Sequence, residues 1–515
     1  MKIKAFVQKY KRVLSALLMV LVPMVCYVIT CAFDGKTVFD VFIPSSTWND
    51  GLYYYKLVEA ILEHGYPQGY YGYNESHALV LSFGAWSPVL LLPWVIWGAV
   101  FGWNLMSPVI CNMVLMSLSV FLFTYMAKPK KWQMLSLAAM LAVFTPMVRY
   151  TFSCMPEIIC FFLMLVFLGL AISYCEKATN VKLVFMFVLS ALATLMRPYF
   201  VLFMFLPGYY WFKKQKIAGS VGTIGITGVV GALYLVINHF FAAEYFVVLF
   251  ETEWLGKFVS DGIFAGIKYT LHKMFTVGIQ FFRMFIESFI SGLPAGALFV
   301  AFILLLVLVT ITAFEKWKRK EKDVSVYVHF AFSTFAMWIA LLLMYNMTDG
   351  SKHLSAFIVM GIFLLSLISE KQFWKWIVTV LLCAFLFIVM AREPINYDVP
   401  YKTDELENDL KTLNQELDKS MVFTDKVPSY ENTVIWVFSD KVNGEDEMLY
   451  WQMLYAMPHE YGINLCYGDF VYENLDTLQS RYVATVPGGR IDLALEESGA
   501  KVLSDNGKII IYQRY

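Results

Sequence analysis

Two acidic residues, Asp50 and Glu157, stand where a carboxylate could act at the surface of a membrane. Asp50 follows the first long apolar segment, in a loop rich in aromatic side chains that suit a sugar ring or a membrane interface. It is interpreted either as a general base that removes a proton from a hydroxyl group or as the N-cap of a helix over residues 52–63. Glu157 follows Pro156 at the start of an apolar segment. It therefore either marks a functional cavity or matches the dipole of an ordinary helix terminus.

Four basic residues next to the ends of apolar segments could bind an anion. They are Arg149, Arg197, Lys352 and His353. Arginine binds phosphate through two parallel, charge-assisted hydrogen bonds, and lysine binds it as a point charge. The alternative for each residue alone is a side chain that extends toward lipid headgroups. Taken together, the four favour a phosphate-binding site on one face of the membrane.

The remaining polar and aromatic residues near Asp50 are predicted to support the first loop. They are Trp48, Asn49, Tyr54, Glu75 and His77. Glu75 and His77 could also contact a hard metal or a phosphate, although the Glu-x-His spacing is common and unspecific. The eight cysteines include no CxxC pair, which indicates neither a disulfide framework nor a zinc site. No cofactor or bound metal is predicted, and a divalent cation stays open as an alternative.

The composition bounds the class of protein that must position these residues. Hydrophobic residues make up 59% of the 515 and charged residues only 16%, which is too apolar for a soluble protein of this size. The formal net charge of zero excludes an overall basic footprint for nucleic acid. The chain is therefore predicted to be a polytopic α-helical membrane protein with no nucleic-acid partner.

The placement of basic residues predicts how the chain crosses the membrane. Residues 13–33 are long enough to span a bilayer and are read as a retained first helix, not a cleaved signal peptide. Lysine-rich loops alternate with poorly charged ones, which places the N-terminus in the cytoplasm and the C-terminus outside. The result is about eleven transmembrane helices. The later crossings are predicted at residues 105–126, 133–147, 157–175, 183–195, 201–212, 217–241, 293–314, 326–345, 354–368 and 376–390.

One further apolar segment, residues 87–101, would reverse every later loop if it crossed the membrane. It is therefore predicted to be a juxtamembrane helix on the outer surface, interrupted by Pro88 and Pro93. Three tryptophans in and before it suit the membrane interface. They are Trp86, Trp94 and Trp97. A second outer insert, residues 242–292, is predicted to form amphipathic surface helices.

The composition changes abruptly at residue 396, which predicts a membrane domain over residues 1–395, with a first outer loop at 34–104, and a separate extracytoplasmic domain over 396–515. Strands are predicted at 434–438, 463–467, 482–486 and 508–512, and helices at 447–457, 473–480 and 490–498. A small α/β layer fold follows. Pro487-Gly488-Gly489 could cradle a phosphate, but a glycine pair after a strand is usually a turn.

This arrangement resembles the GT-C superfamily of membrane glycosyltransferases, and within it bacterial proteins similar to dolichyl-phosphate-mannose protein mannosyltransferases. Trp86-Ser87-Pro88 opens the juxtamembrane segment and Phe101-Gly102 closes it, as in that family. The resemblance covers residues 13–392. It implies that Asp50 is the catalytic acid position of the first loop and that Glu157 is the acidic residue of the second outer loop. By location it also implies that Arg197, Lys352 and His353 contact a lipid-linked phosphate.

The function implied by the resemblance is an inverting transfer of a sugar from a polyprenyl-phosphate donor. The acceptor is a hydroxyl on a cell-envelope glycan, lipid or protein, at the outer face of the cytoplasmic membrane, and membrane lipid is a further partner. The alternative is a transporter or flippase of a lipid-linked saccharide. Transporters tend to have repeated halves and polar groups at mid-membrane depth. The sequence has neither, which favours the enzyme.

Overall fold

The protein is described from a computed structural model. It covers residues 2–41, 49–67, 71–75, 87–241, 253–291, 294–344, 347–390, 433–449, 454–455, 462–505, 507 and 509–515. The chain is mostly helical, with a small sheet near its C-terminus. This confirms the predicted fold class, a polytopic α-helical membrane protein with a C-terminal α/β domain.

The helices that precede the sheet follow the predicted apolar segments closely. They are α1 (Lys2–Phe33), α2 (Asn49–His64), α3 (Leu92–Phe101), α4 (Ser107–Ala127), α5 (Lys131–Ala142), α6 (Thr145–Thr151), α7 (Glu157–Glu176), α8 (Asn180–Met196), α9 (Phe205–Gln215), α10 (Ile217–Phe241), α11 (Glu253–Ser260), α12 (Ile263–Ser291), α13 (Pro294–Lys318), α14 (Val324–Met344), α15 (Met347–Ser366) and α16 (Phe373–Met390). Short 3-10 turns at Pro88–Leu91, Pro198–Met204 and Glu370–Gln372 lead into α3, α9 and α16.

Seven of the helices in the described ranges are long and apolar enough to cross a membrane: α1, α4, α7, α10, α13, α14 and α16. The pair α5 and α6, bent by 61°, could form an eighth crossing. The predicted eleven crossings need three more, through the short helices α8 and α9 and through α15. That number stays a prediction, because a helix shorter than about 20 residues spans a bilayer only if the bilayer thins.

The centre of the helical part is α7, the most buried of the seven candidate spans. It packs directly against α4, because Gly169 has no side chain at the crossing point. A Cβ there would lie 3.2 Å from the Cα of Phe123 and 2.8 Å from the end of Met126. The close approach holds α7, whose first residue is Glu157, against α4.

The predicted juxtamembrane helix is present as the 3-10 turn and the ten-residue α3. It is apolar and shorter than the candidate spans. Its position on the outer surface stays a prediction. One tryptophan differs from the prediction. Trp94 is fully buried and donates a hydrogen bond of 3.0 Å from Nε1 to Oδ1 of Asn112 in α4. It therefore anchors α3 to the helical core instead of lying at the membrane interface, because its indole N–H has a partner there.

Helices α11 and α12 occupy the predicted outer insert, and neither meets the length and hydropathy of a candidate span. One face of α12 packs on the core, where Phe281 is buried and stacks on Phe299 with ring centroids 3.9 Å apart. The opposite face leaves Leu271, Phe275 and Phe282 more than 60% exposed. A core-packed residue beside an exposed apolar stripe is consistent with a helix whose other apolar side chains contact lipid, and the predicted surface position stays a prediction.

The tail domain, residues 433–515, is built around a six-stranded sheet and a separate two-stranded hairpin. The strands are β1 (Tyr71–Tyr73), β2 (Thr433–Val437), β3 (Ser439–Val442), β4 (Glu445–Met448), β5 (Gly462–Cys466), β6 (Tyr482–Thr485), β7 (Lys501–Asp505) and β8 (Ile510–Gln513), and the helices are α17 (Gly468–Glu473) and α18 (Arg490–Glu497). The strand order in the sheet is β1-β5-β2-β6-β8-β7, and β3 and β4 form the hairpin. The four predicted strands correspond to β2, β5, β6 and β8.

The edge strand β1 does not come from the tail. It belongs to the first outer loop, and it pairs in parallel with β5, with Tyr71 opposite Ile463 and Tyr73 opposite Leu465. The first loop and the tail domain therefore share one sheet, although the sequence divides them between two predicted domains.

One predicted tail helix is wrong, and a second is wrong at its start, while residues 450–453 and 456–457 of that second helix lie outside the described residues. Residues 445–448, which include the start of the helix predicted at 447–457, form strand β4. Its turn is made by Asn443 and Gly444, whose φ values of 52° and 89° suit a two-residue hairpin. The helix predicted at 473–480 is also misplaced, because α17 ends at Glu473 and turns follow it. Helix α18 agrees with the prediction for 490–498.

Candidate active site

Asp50 lies in the first turn of α2, which begins at Asn49. The helix thus starts earlier than the predicted 52–63, and Asp50 lies inside its first turn instead of serving as its N-cap. A carboxylate in this position is stabilised by the positive end of the helix dipole. The side chain of Asp50 is 40% exposed, so a ligand can reach it.

Lys352 of α15 forms an ion pair with Asp50. Its Nζ donates a hydrogen bond of 2.5 Å to Oδ2 of Asp50, and the lysine side chain is 24% exposed. The first outer loop and the tenth predicted crossing therefore meet at this pair.

Glu157 and Arg197 form a second ion pair, which is fully buried. Nη2 of Arg197 donates a hydrogen bond of 2.7 Å to Oε1 of Glu157, and their side chains are 2% and 1% exposed. Glu157 is the first residue of α7, with Pro156 at the N-cap. Arg197 ends α8 in an extended conformation, as the following Pro198 requires. The interruption between α8 and the next helix thus directs the Arg197 guanidinium into the core.

A third residue pair connects these two ion pairs. Nη1 of Arg197 lies 3.2 Å from the Tyr199 hydroxyl and 3.3 Å from Nδ1 of His353, and the Tyr199 hydroxyl also lies 3.3 Å from that Nδ1. An arginine only donates, so Nδ1 accepts and His353 is neutral with its proton on Nε2. Because His353 follows Lys352 in α15, neighbouring residues of one helix contact the two ion pairs.

The two predicted carboxylates therefore belong to one cluster, which also contains three of the four predicted cations. Its ionised groups are two carboxylates, one guanidinium and one ammonium, so their formal charges cancel. Tyr54 of α2 is buried and lies within electrostatic range of Arg197. The fourth cation, Arg149, is half-buried in the last turn of α6.

The other predicted first-loop residues are placed as follows. Trp48 and His77 lie outside the described residues, and for Asn49 the structure describes the helical backbone only. Glu75 contacts the tail domain, where its carboxylate accepts hydrogen bonds from the backbone N–H groups of Gln479 and Ser480 at 2.7–3.0 Å and from the Ser480 hydroxyl at 2.6 Å. Glu75 therefore acts as a clamp between loop and tail.

The turn at Gly488 and Gly489 in the tail lies against a carboxylate of the protein itself, that of Asp440. Oδ2 of the buried Asp440 accepts a 2.8 Å hydrogen bond from the Ile491 N–H, and Nε of Arg490 lies 3.1 Å from Oδ1. A Cβ at Gly489 would lie 2.5 Å from Asp440 Oδ2. The segment Pro487-Gly488-Gly489 is thus a turn fitted around Asp440, the reading that the sequence favours over a phosphate cradle.

Within the described ranges, no group of three or more His, Cys, Asp or Glu side chains is arranged to hold a metal ion.

Sequence reasoning missed Tyr199, which connects Arg197 to His353. The signal was present, because Tyr199 comes directly after the Arg197-Pro198 pair at a break between two short helices. It also missed Tyr455 of the tail domain, which contacts the start of α2. Nothing local in the sequence marks that contact, which joins residues about 400 positions apart.

No protein-family model matches the chain, and no curated protein matches it significantly. Several solved structures are similar to the chain. The oligosaccharyltransferase of Archaeoglobus fulgidus, tethered to an acceptor peptide, aligns with 99% of this chain and 75% of its own at 13% identity and a TM-score of 0.52. The same values hold for AglB from that organism in complex with an inhibitory peptide and a dolichol-phosphate. The apo form of ArnT from Cupriavidus metallidurans aligns over 97% of both chains at 12% identity, with a TM-score of 0.44.

Proposed function

Because the chain has the GT-C fold that its sequence predicts, we propose that it is an inverting glycosyltransferase that uses a polyprenyl-phosphate sugar. The acceptor is a hydroxyl group of a cell-envelope glycan, lipid or protein. The observation that carries the proposal is that adjacent residues of α15 contact both ion pairs: Lys352 binds the reachable carboxylate of Asp50, and His353 lies against Arg197, which binds Glu157. It combines a base and cations at one place, as transfer from a lipid phosphate requires.

Asp50 is the general base in this proposal, because it is the more accessible of the two carboxylates. It takes the proton of the acceptor hydroxyl while the acceptor oxygen forms a bond to the anomeric carbon. The bond from that carbon to the phosphate oxygen breaks, and polyprenyl phosphate leaves with the electron pair. Attack from the side opposite the phosphate inverts the configuration, through a transition state with oxocarbenium character.

Lys352 stabilises the charge on the departing phosphate. Its ammonium is reachable, and it moves from Asp50 to the phosphate when the donor binds, which also frees Asp50 to act as a base. A preorganised cation aimed at developing charge is usually the largest single contribution to catalysis. Arg149, half-buried near the same end of the helices, supplies a second cation.

Glu157 is a positioning residue here, not a group that touches the acceptor. Its carboxylate is buried and holds the Arg197 guanidinium, which in turn contacts Tyr199 and His353. Arg197 and His353 are themselves buried, so they form the floor of the phosphate site. They hold the phenol of the half-buried Tyr199 toward the donor.

The similar structures support the lipid class of donor. One is a complex with a dolichol-phosphate and another carries an acceptor peptide. The reaction is proposed to take place on the outer face of the cytoplasmic membrane, with the N-terminus inside and residues 396–515 outside.

The test gives the purified full chain radiolabelled polyprenyl-phosphate sugars and envelope fractions. Asp50→Asn is expected to lower transfer by about a hundredfold or more, the usual contribution of a general base. Asp40→Asn is the matched control. Asp40 lies in the same outer loop, but it is exposed and only accepts hydrogen bonds from the N–H and hydroxyl of Thr37 at 2.7 and 2.8 Å.

Equal transfer by wild type and Asp50→Asn would remove Asp50 from the base role. Movement of intact lipid-linked saccharide across sealed vesicles, with no new glycosidic bond, would indicate a flippase instead.

A further inference from the structure

Tyr455 of the tail domain reaches the start of α2, beside Asp50. Its ring packs against Tyr55 with centroids 5.2 Å apart. A Cβ built on Gly51 would lie 3.0 Å from the Tyr455 hydroxyl and 3.6 Å from Cβ of Cys154. Gly51 follows Asp50 directly, so the absence of a side chain there lets the phenol approach the turn that carries the carboxylate.

The Tyr455 hydroxyl is buried without a hydrogen-bond partner among the described residues. The residue is 2% exposed. Burial raises the pKa of Tyr455 well above its ordinary value, so the hydroxyl stays protonated and can donate. A buried donor without an acceptor destabilises a fold, and such groups are rare unless a water or a ligand completes them.

The tail is fixed to the first loop at two further points, which holds Tyr455 in place. Strand β1 pairs with β5, and the Glu75 carboxylate accepts hydrogen bonds from the N–H groups of Gln479 and Ser480. Both contacts follow α2 in the chain, whereas Tyr455 meets its start. The tail therefore contacts the first loop at the start of α2 and again beyond that helix.

We propose that Tyr455 is an acceptor-contacting residue, whose hydroxyl donates a hydrogen bond to the hydroxylated acceptor held beside Asp50. The inference rests on the proposed function and adds to it that the tail domain completes the acceptor site. The acceptor is favoured over the donor phosphate because Tyr455 lies at the Asp50 end of the cluster. The buried cation, Arg197, lies at the other end, beyond Lys352 and His353.

The experiment compares Tyr455→Phe with the wild-type full chain in the transfer assay, with the acceptor concentration varied. The variant removes one hydroxyl and keeps the ring. The KM for the acceptor is expected to rise about fivefold to tenfold, the effect of one neutral hydrogen bond, with a smaller change in kcat. The melting temperature is expected to stay equal or rise, because an unpartnered donor is removed.

Tyr27→Phe is the matched control. Tyr27 is equally buried, in α1, but its hydroxyl has a partner, Oγ1 of Thr151 at 3.2 Å. This variant is expected to lower the melting temperature and to leave the KM for the acceptor unchanged. The two substitutions thus remove the same atom with opposite expected effects on stability and transfer.

A second measurement tests the contact itself. Gly51→Ala is expected to lower the melting temperature, and adding Tyr455→Phe is expected to restore part of the loss, because the phenol oxygen is the nearest atom to the new Cβ. Unchanged acceptor KM in Tyr455→Phe, with Asp50-dependent transfer intact, would overturn the inference alone and assign the hydroxyl to an ordered water. If the wild type transfers no sugar from any donor, the proposed function fails and the inference fails with it.

Discussion

The two ion pairs of the cluster have similar geometry and very different surroundings. Glu157 and Arg197 are 2.7 Å apart with side chains no more than 2% exposed. Asp50 and Lys352 are 2.5 Å apart with side chains 40% and 24% exposed. A buried pair is hard to open because each charge loses its hydration, whereas an exposed pair exchanges its partner for water or a ligand at little cost. The difference supports the proposed division of roles, in which the buried pair maintains the site and the exposed pair takes part in the reaction.

The largest expected effect comes from breaking the buried pair. Arg197→Met leaves the Glu157 carboxylate buried without its cation, which is expected to lower the free energy of unfolding by about 3–5 kcal/mol. The measurement is thermal or denaturant unfolding of the purified protein in detergent. Adding Glu157→Met to this variant is expected to recover most of the loss, because no uncompensated charge remains. A loss below about 1 kcal/mol in the single variant would show that the two pairs do not differ as described.

Breaking the exposed pair is expected to affect transfer and not stability. Lys352→Met should change the free energy of unfolding by no more than about 1 kcal/mol. Transfer is expected to fall about a hundredfold, or about 2.7 kcal/mol in the activation free energy, because the phosphate loses its reachable cation. Lys257→Met is the control, since Lys257 of α11 forms a similarly exposed pair, at 3.3 Å, with Asp261 just after that helix. Full transfer by the Lys352 variant would assign the lysine to structure alone.

The helical part of the fold could be predicted because its signals are local. Apolar length and the prolines at the start of α3 identify the helices, and the basic loops carry the prediction that the segment with α3 does not cross. Trp94 shows the limit of that reasoning. A tryptophan near the end of an apolar segment suits the membrane interface. The hydrogen-bond partner of Trp94, however, is Asn112 in the next helix, and that contact is visible only in the three-dimensional structure.

The tail and the site show the same division between local and distant signals. The Asn443-Gly444 turn is a strong hairpin signal that was available in the sequence. The pairing of β1 with β5 was not available, because a three-residue strand in the first loop carries no mark of a partner almost 400 residues later. The types of residue in the site were predictable from the sequence. Their exposure was not, because it depends on packing, which leaves Asp50 reachable and Glu157 buried.

The smallest expected effect tests whether the tail contributes to the site through its contact with the first loop. Glu75→Gln keeps the size of the side chain and removes the charge that accepts hydrogen bonds from Gln479 and Ser480. The contact is partly exposed, so the expected loss is about 1 kcal/mol in the local stability of the loop and tail, seen as faster hydrogen exchange of those two amides. Transfer should fall less than threefold, because Asp50 and Lys352 are untouched. An equal fall for Glu75→Gln and Lys352→Met would contradict the division of the cluster into a reacting pair and its supports, because a distant clamp would then matter as much as a cation at the phosphate.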